Sequence, residues 1–117
     1  MKSVEIISVP VTNQRLAKEF YLKMGLQLVI ETSFGNGQQW IQLSFPGGGA
    51  TITLVNWFDK MPAGSLQAVV IESDDIEKDI KQLQNSGIEP GPIDKTPWGR
   101  FAKITDPDGN TWSLHQK

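Results

Sequence analysis

Apolar residues in this chain follow two rhythms, one of period two and one of helical period, and the same succession of rhythms occurs twice. Residues 6–26 read IISVPVTNQRLAKEFYLKMGL and residues 68–88 read AVVIESDDIEKDIKQLQNSGI. Each begins with an apolar run, passes a polar pair, enters a helical stretch and ends on Gly plus an aliphatic residue. Gly25 and Gly87 stand 62 apart (87 − 25), and the pairs Thr12-Asn13 and Asp74-Asp75 keep that spacing. The second halves echo as well. Thr51-Ile52-Thr53-Leu54 and Thr111-Trp112-Ser113-Leu114 lie 60 apart, each soon after a turn-forming stretch, Pro46-Gly47-Gly48-Gly49 and Pro107-Asp108-Gly109-Asn110. Two units of ~60 residues are too few for a solenoid and fit a fused duplication.

Each unit reads strand, helix and three strands. In the first, strands are predicted near 3–10, 26–34, 38–45 and 50–57, with a helix near 13–24. In the second, strands are predicted near 66–72, 88–93, 99–105 and 111–116, with a helix near 75–86. The first helix presents Leu16, Phe20 and Met24 on one stripe, the second Ile76, Ile80 and Leu83, and such stripes must pack on a sheet. Thr12-Asn13 and Asp74-Asp75 suit helix N-termini, where their side-chain oxygens accept free amides. Gly25 and Gly87 suit the left-handed position after a helix. Gly35-Asn36-Gly37 predicts a tight hairpin. Pro62-Ala63-Gly64-Ser65 is the only hinge-like stretch. It separates module one (1–60) from module two (65–117) within a single domain spanning 1–117. The expected fold class is α+β, two tandem βαβββ modules whose curved mixed sheets surround a cleft.

The stretch Asp106-Pro107-Asp108-Gly109-Asn110 places two carboxylates and an amide together, as a calcium loop would. A helix–loop–helix calcium site needs Gly at its sixth position and Glu at its twelfth. Counting from Asp106, Gly109 is the fourth residue and Lys117 the twelfth. Asp, then Pro, then Gly three residues on is instead the composition of a type I turn closing a hairpin with a bulge. The first module's Pro-Gly-Gly-Gly does the same work without a carboxylate.

Composition narrows the function classes. The 117 residues are 38% hydrophobic and 21% charged, the balance of one ordinary globular domain. With 11 basic and 13 acidic residues the net charge is −2, and no basic run predicts a nucleic-acid or membrane partner. Cysteine is absent, which excludes disulfides, thiolate metal sites and a cysteine nucleophile. The opening MKSVEIISVPV is too short and polar for a signal peptide or membrane span, so the expected location is the cytoplasm.

Strand alternation assigns faces. Trp112 and Leu114 belong under the helices, leaving Thr111, Ser113 and His115 toward the cleft. The same parity turns Ile6, Ser8 and Pro10 of the first strand to the cleft, with Trp40, Gln42 and Ser44 of the third. Thr51, Thr53, Val55 and Trp57 follow from the fourth strand, and Leu66, Ala68 and Val70 from the fifth. This lining is apolar with a few hydroxyls, an amide and one imidazole, the makeup of an organic-ligand pocket. Two readings stand for Trp40, Trp57 and Trp98: ligand stacking, or rim and dimer packing. His115, the only histidine, is either a polar ligand contact or a surface residue near the chain end. Arg100 pairs either with a ligand carboxylate or with a nearby Asp. Ser113 and His115 do not make a nucleophilic pair, because residues two apart on a strand lie ~7 Å from one another.

The stretch TPWGRFAKITDPDGNTWSL, following VVIESDDIEKDIKQLQNSGIE, resembles the glyoxalase/bleomycin resistance/dioxygenase (vicinal oxygen chelate) superfamily over nearly the whole chain. The resemblance implies two βαβββ modules, a shared cleft and a homodimer. Metal-using members hold a divalent ion with His, Gln or Glu from the strands that open and close each module. Those positions match Ile6, Thr53, Ala68 and Ser113, none of which suits such an ion. The expectation is therefore no metal and no cofactor, and a small, partly aromatic organic molecule bound by Ile6, Ser8, Trp40, Thr53, Trp57, Ala68, Arg100, Ser113 and His115. Two alternatives stay open: a superfamily enzyme of the lactoylglutathione lyase or dioxygenase type, and a non-catalytic interaction subunit.

Overall fold

The computed structural model describes residues 1–117. The first module comprises β1 (Ile6–Pro10), α1 (Gln14–Met24), β2 (Gln27–Ser33), β3 (Gln39–Ser44) and β4 (Thr51–Val55). The second comprises β5 (Val69–Glu72), α2 (Ile76–Asn85), β6 (Asp94–Thr96), β7 (Gly99–Thr105) and β8 (Thr111–Gln116). Each module builds one four-stranded mixed sheet, in the orders β1-β4-β3-β2 and β5-β8-β7-β6. In both, the first strand runs parallel to the fourth and the other pairings are antiparallel. The duplication read from the spacing is thus a duplication of topology. No helix is long and apolar enough to cross a membrane.

Local chemistry sets the helix ends. Asn13 accepts from the amide of Leu16 at 3.1 Å and Asp75 from that of Lys78 at 3.1 Å. Gly25, at φ 114, closes α1 in the left-handed conformation. The buried side of α1 is centred on Ala17 and Tyr21, while Leu16 is half exposed. The expected stripe was therefore rotated by about one position, since Leu16 lies at the stripe's edge. Along α2, Ile76 and Leu83 are buried and Ile80 packs partly against them, as expected.

Strand ends differ from expectation in several places: β1 starts at Ile6 rather than near 3, β4 ends at Val55 rather than near 57, and two further differences have a local cause. Residues 88–93 form no strand; Pro90 and Pro92 supply no amide to a ladder, and β6 begins only at Asp94. The buried Ile88 nevertheless packs into the core, and the Gly91 amide bonds to the Lys103 carbonyl at 2.8 Å. β5 starts at Val69 rather than near 66, because Ala68 takes a left-handed backbone with φ 65.

Sixteen buried residues from both modules form one apolar cluster. Tyr21 of α1 meets Trp112 of β8 edge-to-face at 5.9 Å, and Phe45, just after β3, meets the same indole at 6.0 Å. The helix-bearing sides of the two sheets are thus joined in the core. The Asp106–Asn110 turn locks this junction. Its backbone closes through Gly109 N to Asp106 O at 3.1 Å and Asp106 N to Asn110 O at 2.9 Å. Asn110 donates to the Pro10 carbonyl at 2.8 Å and accepts from the Leu66 amide at 2.9 Å. Asp108 accepts from the Thr12 amide at 3.1 Å. The hinge residue Gly64 (φ 85) lies so close to the Asp108 carbonyl that a Cβ there would collide with it, and its amide bonds to Pro10 O at 3.1 Å.

Candidate functional site

On the face of the first sheet turned away from α1, alternation delivers the expected residues. Ser8 is the cross-strand partner of Thr53, and Gln42 is its partner on the other side. The Trp40 indole N–H donates to Gln42 Oε1 at 3.1 Å, and Gln42 Nε2 donates to Thr51 Oγ1 at 2.8 Å. Thr51 Oγ1 in turn donates to the Glu5 carbonyl at 3.3 Å. Trp40, Gln42 and Thr51 thus pair their polar atoms along this row. Thr53 is 1% exposed, and its hydroxyl is the one buried side-chain polar atom with no partner.

Beside this row sits a cluster of rings. Phe34 meets Trp57 at 5.1 Å and Trp40 at 6.3 Å, both nearly edge-on, and Trp57 meets Phe58 at 5.9 Å. Phe34 and Phe58 are each 48% exposed. Phe34 was not among the expected site residues. Its signal was available, since it lies two residues beyond Thr32, the partner of Trp40, and two is the period of one strand face.

The second sheet carries a separate group. Ser113 pairs with Val70 and with Lys103, and His115 with Glu72 and Phe101. The His115 ring lies flat on Phe101, with centroids 4.3 Å apart and planes 13° apart. Its Nε2 donates to the Trp98 carbonyl at 3.0 Å. Gly99, at φ 132, permits this arrangement, because a Cβ there would press on His115 Nε2 and on the Gln116 backbone. The Trp98 side chain is 77% exposed.

The nine expected residues therefore fall into distinct places. Ile6, Ser8, Trp40, Thr53 and Trp57 belong to the first sheet or its end, and Ser113 and His115 to the second. Ala68 is exposed in the segment before β5, not in a strand. Arg100 is held on the helix-bearing side of the second sheet, paired with Glu77 of α2 and donating to Gln116 Oε1 at 2.8 Å. No ring contact or side-chain hydrogen bond joins the two groups. The core contacts made through Tyr21, Phe45 and Trp112 occupy the helix-bearing sides, so the two outer faces point away from that shared core. A cavity of about 910 Å³ opens between the modules on the helix-bearing side, and none of the nine lines it. No three His, Asp or Glu side chains come together as a metal site would require.

Comparison with known proteins bears on this geometry. The Glyoxalase/Bleomycin resistance protein/Dioxygenase superfamily model matches residues 3–114. The crystal structure of TnmS3, an antibiotic binding protein from Streptomyces sp. CB03234, superposes with a TM-score of 0.91 at 38% identity, over 99% of this chain and 96% of that one. A glyoxalase/bleomycin resistance protein from the same Streptomyces sp. CB03234 gives 0.86 at 38% identity, over 97% and 100% of the two chains. The uncharacterized protein YetH of Bacillus subtilis (strain 168) is 29% identical over 99% of each chain.

Proposed function

This chain belongs to the glyoxalase/bleomycin resistance protein/dioxygenase superfamily, and from that premise we propose that it binds a small, partly aromatic organic molecule without using a metal. The observation carrying this reading is the partly exposed ring cluster of Phe34, Trp40, Trp57 and Phe58 beside the row of β1, β3 and β4. The Trp40 indole, Gln42 and Thr51 are already paired, so a ligand would be held by stacking and apolar contact, with the half-buried Ser8 hydroxyl a donor left to orient it. The antibiotic-binding TnmS3, with 38% of its residues in common, supports the same direction.

A divalent ion does not fit the residues that stand where metal-using relatives place ligands. Ile6 and Ala68 offer alkyl groups, and Thr53 and Ser113 offer neutral hydroxyls without the charge or basicity that such ions require. The protein works as a cytoplasmic homodimer in this reading. A second copy would bring a module-two face, with Ser113 and His115, near the module-one face that one chain cannot cover by itself. Ser8, Trp40 and Trp57 form the primary contact surface, with Thr53 buried beneath it.

The test is a melting and tryptophan-emission screen against planar aromatic antibiotics, matched by size with aliphatic ones. A binder at ~100 times its dissociation constant adds about 2.7 kcal/mol of stability. Trp57→Ala should weaken that binder roughly 2- to 12-fold, the worth of one stacking contact. A binder that ignores Trp57→Ala and Trp40→Ala alike, or a panel that shifts no melting temperature, sinks the assignment.

A further inference from the structure

The chain has one Asn-Gly pair, Asn36-Gly37, and one Asp-Gly pair, Asp108-Gly109. Both are open to the same chemistry, in which the unhindered glycine amide attacks the preceding side-chain carbonyl and closes a succinimide ring. In a folded chain the reaction depends on what holds the two groups apart. At Asp108 they are held firmly. The Gly109 amide donates to the Asp106 carbonyl at 3.1 Å. Asp108 Oδ1 accepts from the Thr12 amide at 3.1 Å, and the Asp108 amide donates to Asp106 Oδ1 at 2.9 Å.

At Asn36 neither group is engaged. Asn36 and Gly37 are the central residues of the turn between β2 and β3, with φ 54 and 74, the left-handed pair that a type I′ hairpin requires. The turn closes through Gln38 N to Gly35 O at 2.9 Å and Phe34 N to Gln38 O at 3.2 Å, so its hydrogen bonds bypass the Gly37 amide. The Asn36 side chain makes no hydrogen bond, and both residues are exposed. No atom lies within 4 Å of where a Gly37 Cβ would stand.

We propose that Asn36-Gly37 is a self-modification site whose product loosens the ring cluster through Phe34. The Gly37 nitrogen, its proton lost to solvent hydroxide, bonds to Asn36 Cγ, and the Cγ–Nδ2 bond breaks to release ammonia. Water then cleaves one of the two imide C–N bonds. Cleavage at Cγ leaves aspartate. Cleavage at the Asn36 main-chain carbonyl leaves isoaspartate, whose main chain runs through the former side chain and is one methylene longer. Water is the only co-reactant, and nothing is oxidised or reduced. Phe34 closes the same hairpin through its amide, so a longer turn breaks that registry. With it go the edge contacts of Phe34 with Trp57 at 5.1 Å and Trp40 at 6.3 Å. The inference concerns the free protein and depends on no ligand.

The test holds the intact protein in warm, mildly alkaline buffer with and without urea, and maps isoaspartate by isoaspartyl methyltransferase labelling of peptides. The ratio of folded to unfolded rate at each site cancels the intrinsic difference between Asn and Asp. At Asn36 the two rates should agree within about threefold, because no bond must open first. At Asp108 the folded rate should be about tenfold lower or more, because the turn must open. Asn36→Gln, whose longer side chain cannot close the same ring, should carry no label there. The isoaspartyl form, isolated by chromatography, should differ from fresh protein in tryptophan emission, and that difference should vanish in Phe34→Ala. Protection of Asn36 equal to that of Asp108 overturns the proposal, as does label that survives Asn36→Gln. So does an isoaspartyl form with unchanged emission, or an emission change that persists in Phe34→Ala.

Discussion

Four hydrogen bonds converge on the carboxylate of Asp106, from the amides of Asp108 and Asn110, the Asn110 side chain and the Tyr21 hydroxyl. Tyr21 also accepts from the Trp112 indole at 3.0 Å. Burial first, and then the neighbouring Asp106 carboxylate, raise the Tyr21 pKa above the ordinary phenol range. Tyr21→Phe leaves a buried indole donor without an acceptor and should cost about 1–3 kcal/mol in a urea titration near neutral pH. The pH dependence has a definite sign. An unfolded tyrosine ionises near about pH 10, whereas the folded one stays protonated, so its contribution is intact below that pH and declines as pH rises beyond it. The stability gap between wild type and Tyr21→Phe should shrink above about pH 10, and a gap that widens there contradicts this network. Thr53 predicts the opposite kind of change. Thr53→Val removes an orphaned hydroxyl at nearly constant shape, so stability should hold or rise by up to about 1–3 kcal/mol. A variant that is clearly less stable would mean that the hydroxyl already has a partner.

At the scale of elements, β5 and the hinge show where backbone conformation overrides pattern. Ala68, in an exposed position, carries φ 65 where a side chain is strained. A left-handed conformation costs an L-residue roughly 1–2 kcal/mol, while glycine adds about 0.4–1 kcal/mol of unfolded-state freedom. Ala68→Gly should therefore stabilise by a few tenths to about 1 kcal/mol, read as a higher denaturation midpoint with unchanged slope. The hinge behaves differently, because Gly64 combines a positive φ with close backbone contact from Asp108. Gly64→Ala should destabilise by several-fold more than a surface change, beyond about 2 kcal/mol, since neither strain nor contact can relax alone. A neutral Gly64→Ala would show that the junction between the hinge and the Asp106–Asn110 turn is loose.

At the scale of the molecule, apolar surface remains in places that a lone chain leaves open. Leu28, Val29 and Ile30 on the edge strand β2 are 44–50% exposed, and Val70 on the edge strand β5 is 54% exposed. Edge strands with exposed aliphatic residues are sites of association. Sedimentation at micromolar concentration should find a dimer, and the paired variant Ile30→Lys with Val70→Lys should shift it toward monomer. A wild type that stays monomeric at every concentration removes the proposed assembly.

Periodicity and spacing determined the strand–helix–three-strand order, both N-caps, the turn at Asp106–Asn110 and the burial of Trp112, because each depends on a few neighbouring residues and their intrinsic conformations. Alternation also placed Ser8, Trp40 and Thr53 on one face, since a strand has only two. Composition could not show that Pro90 and Pro92 delay β6 or that Ala68 delays β5; there the apolar pattern continues while the backbone leaves the ladder. Nor could local pattern reveal that Asp106 is buried under Tyr21, 85 residues away, or that Arg100 turns to Glu77. Those facts depend on which sides of two sheets meet. The parity of a strand names its two faces, but only the packing of Tyr21 and Phe45 on Trp112 decides which of them is enclosed within the chain and which is left for a partner or a ligand.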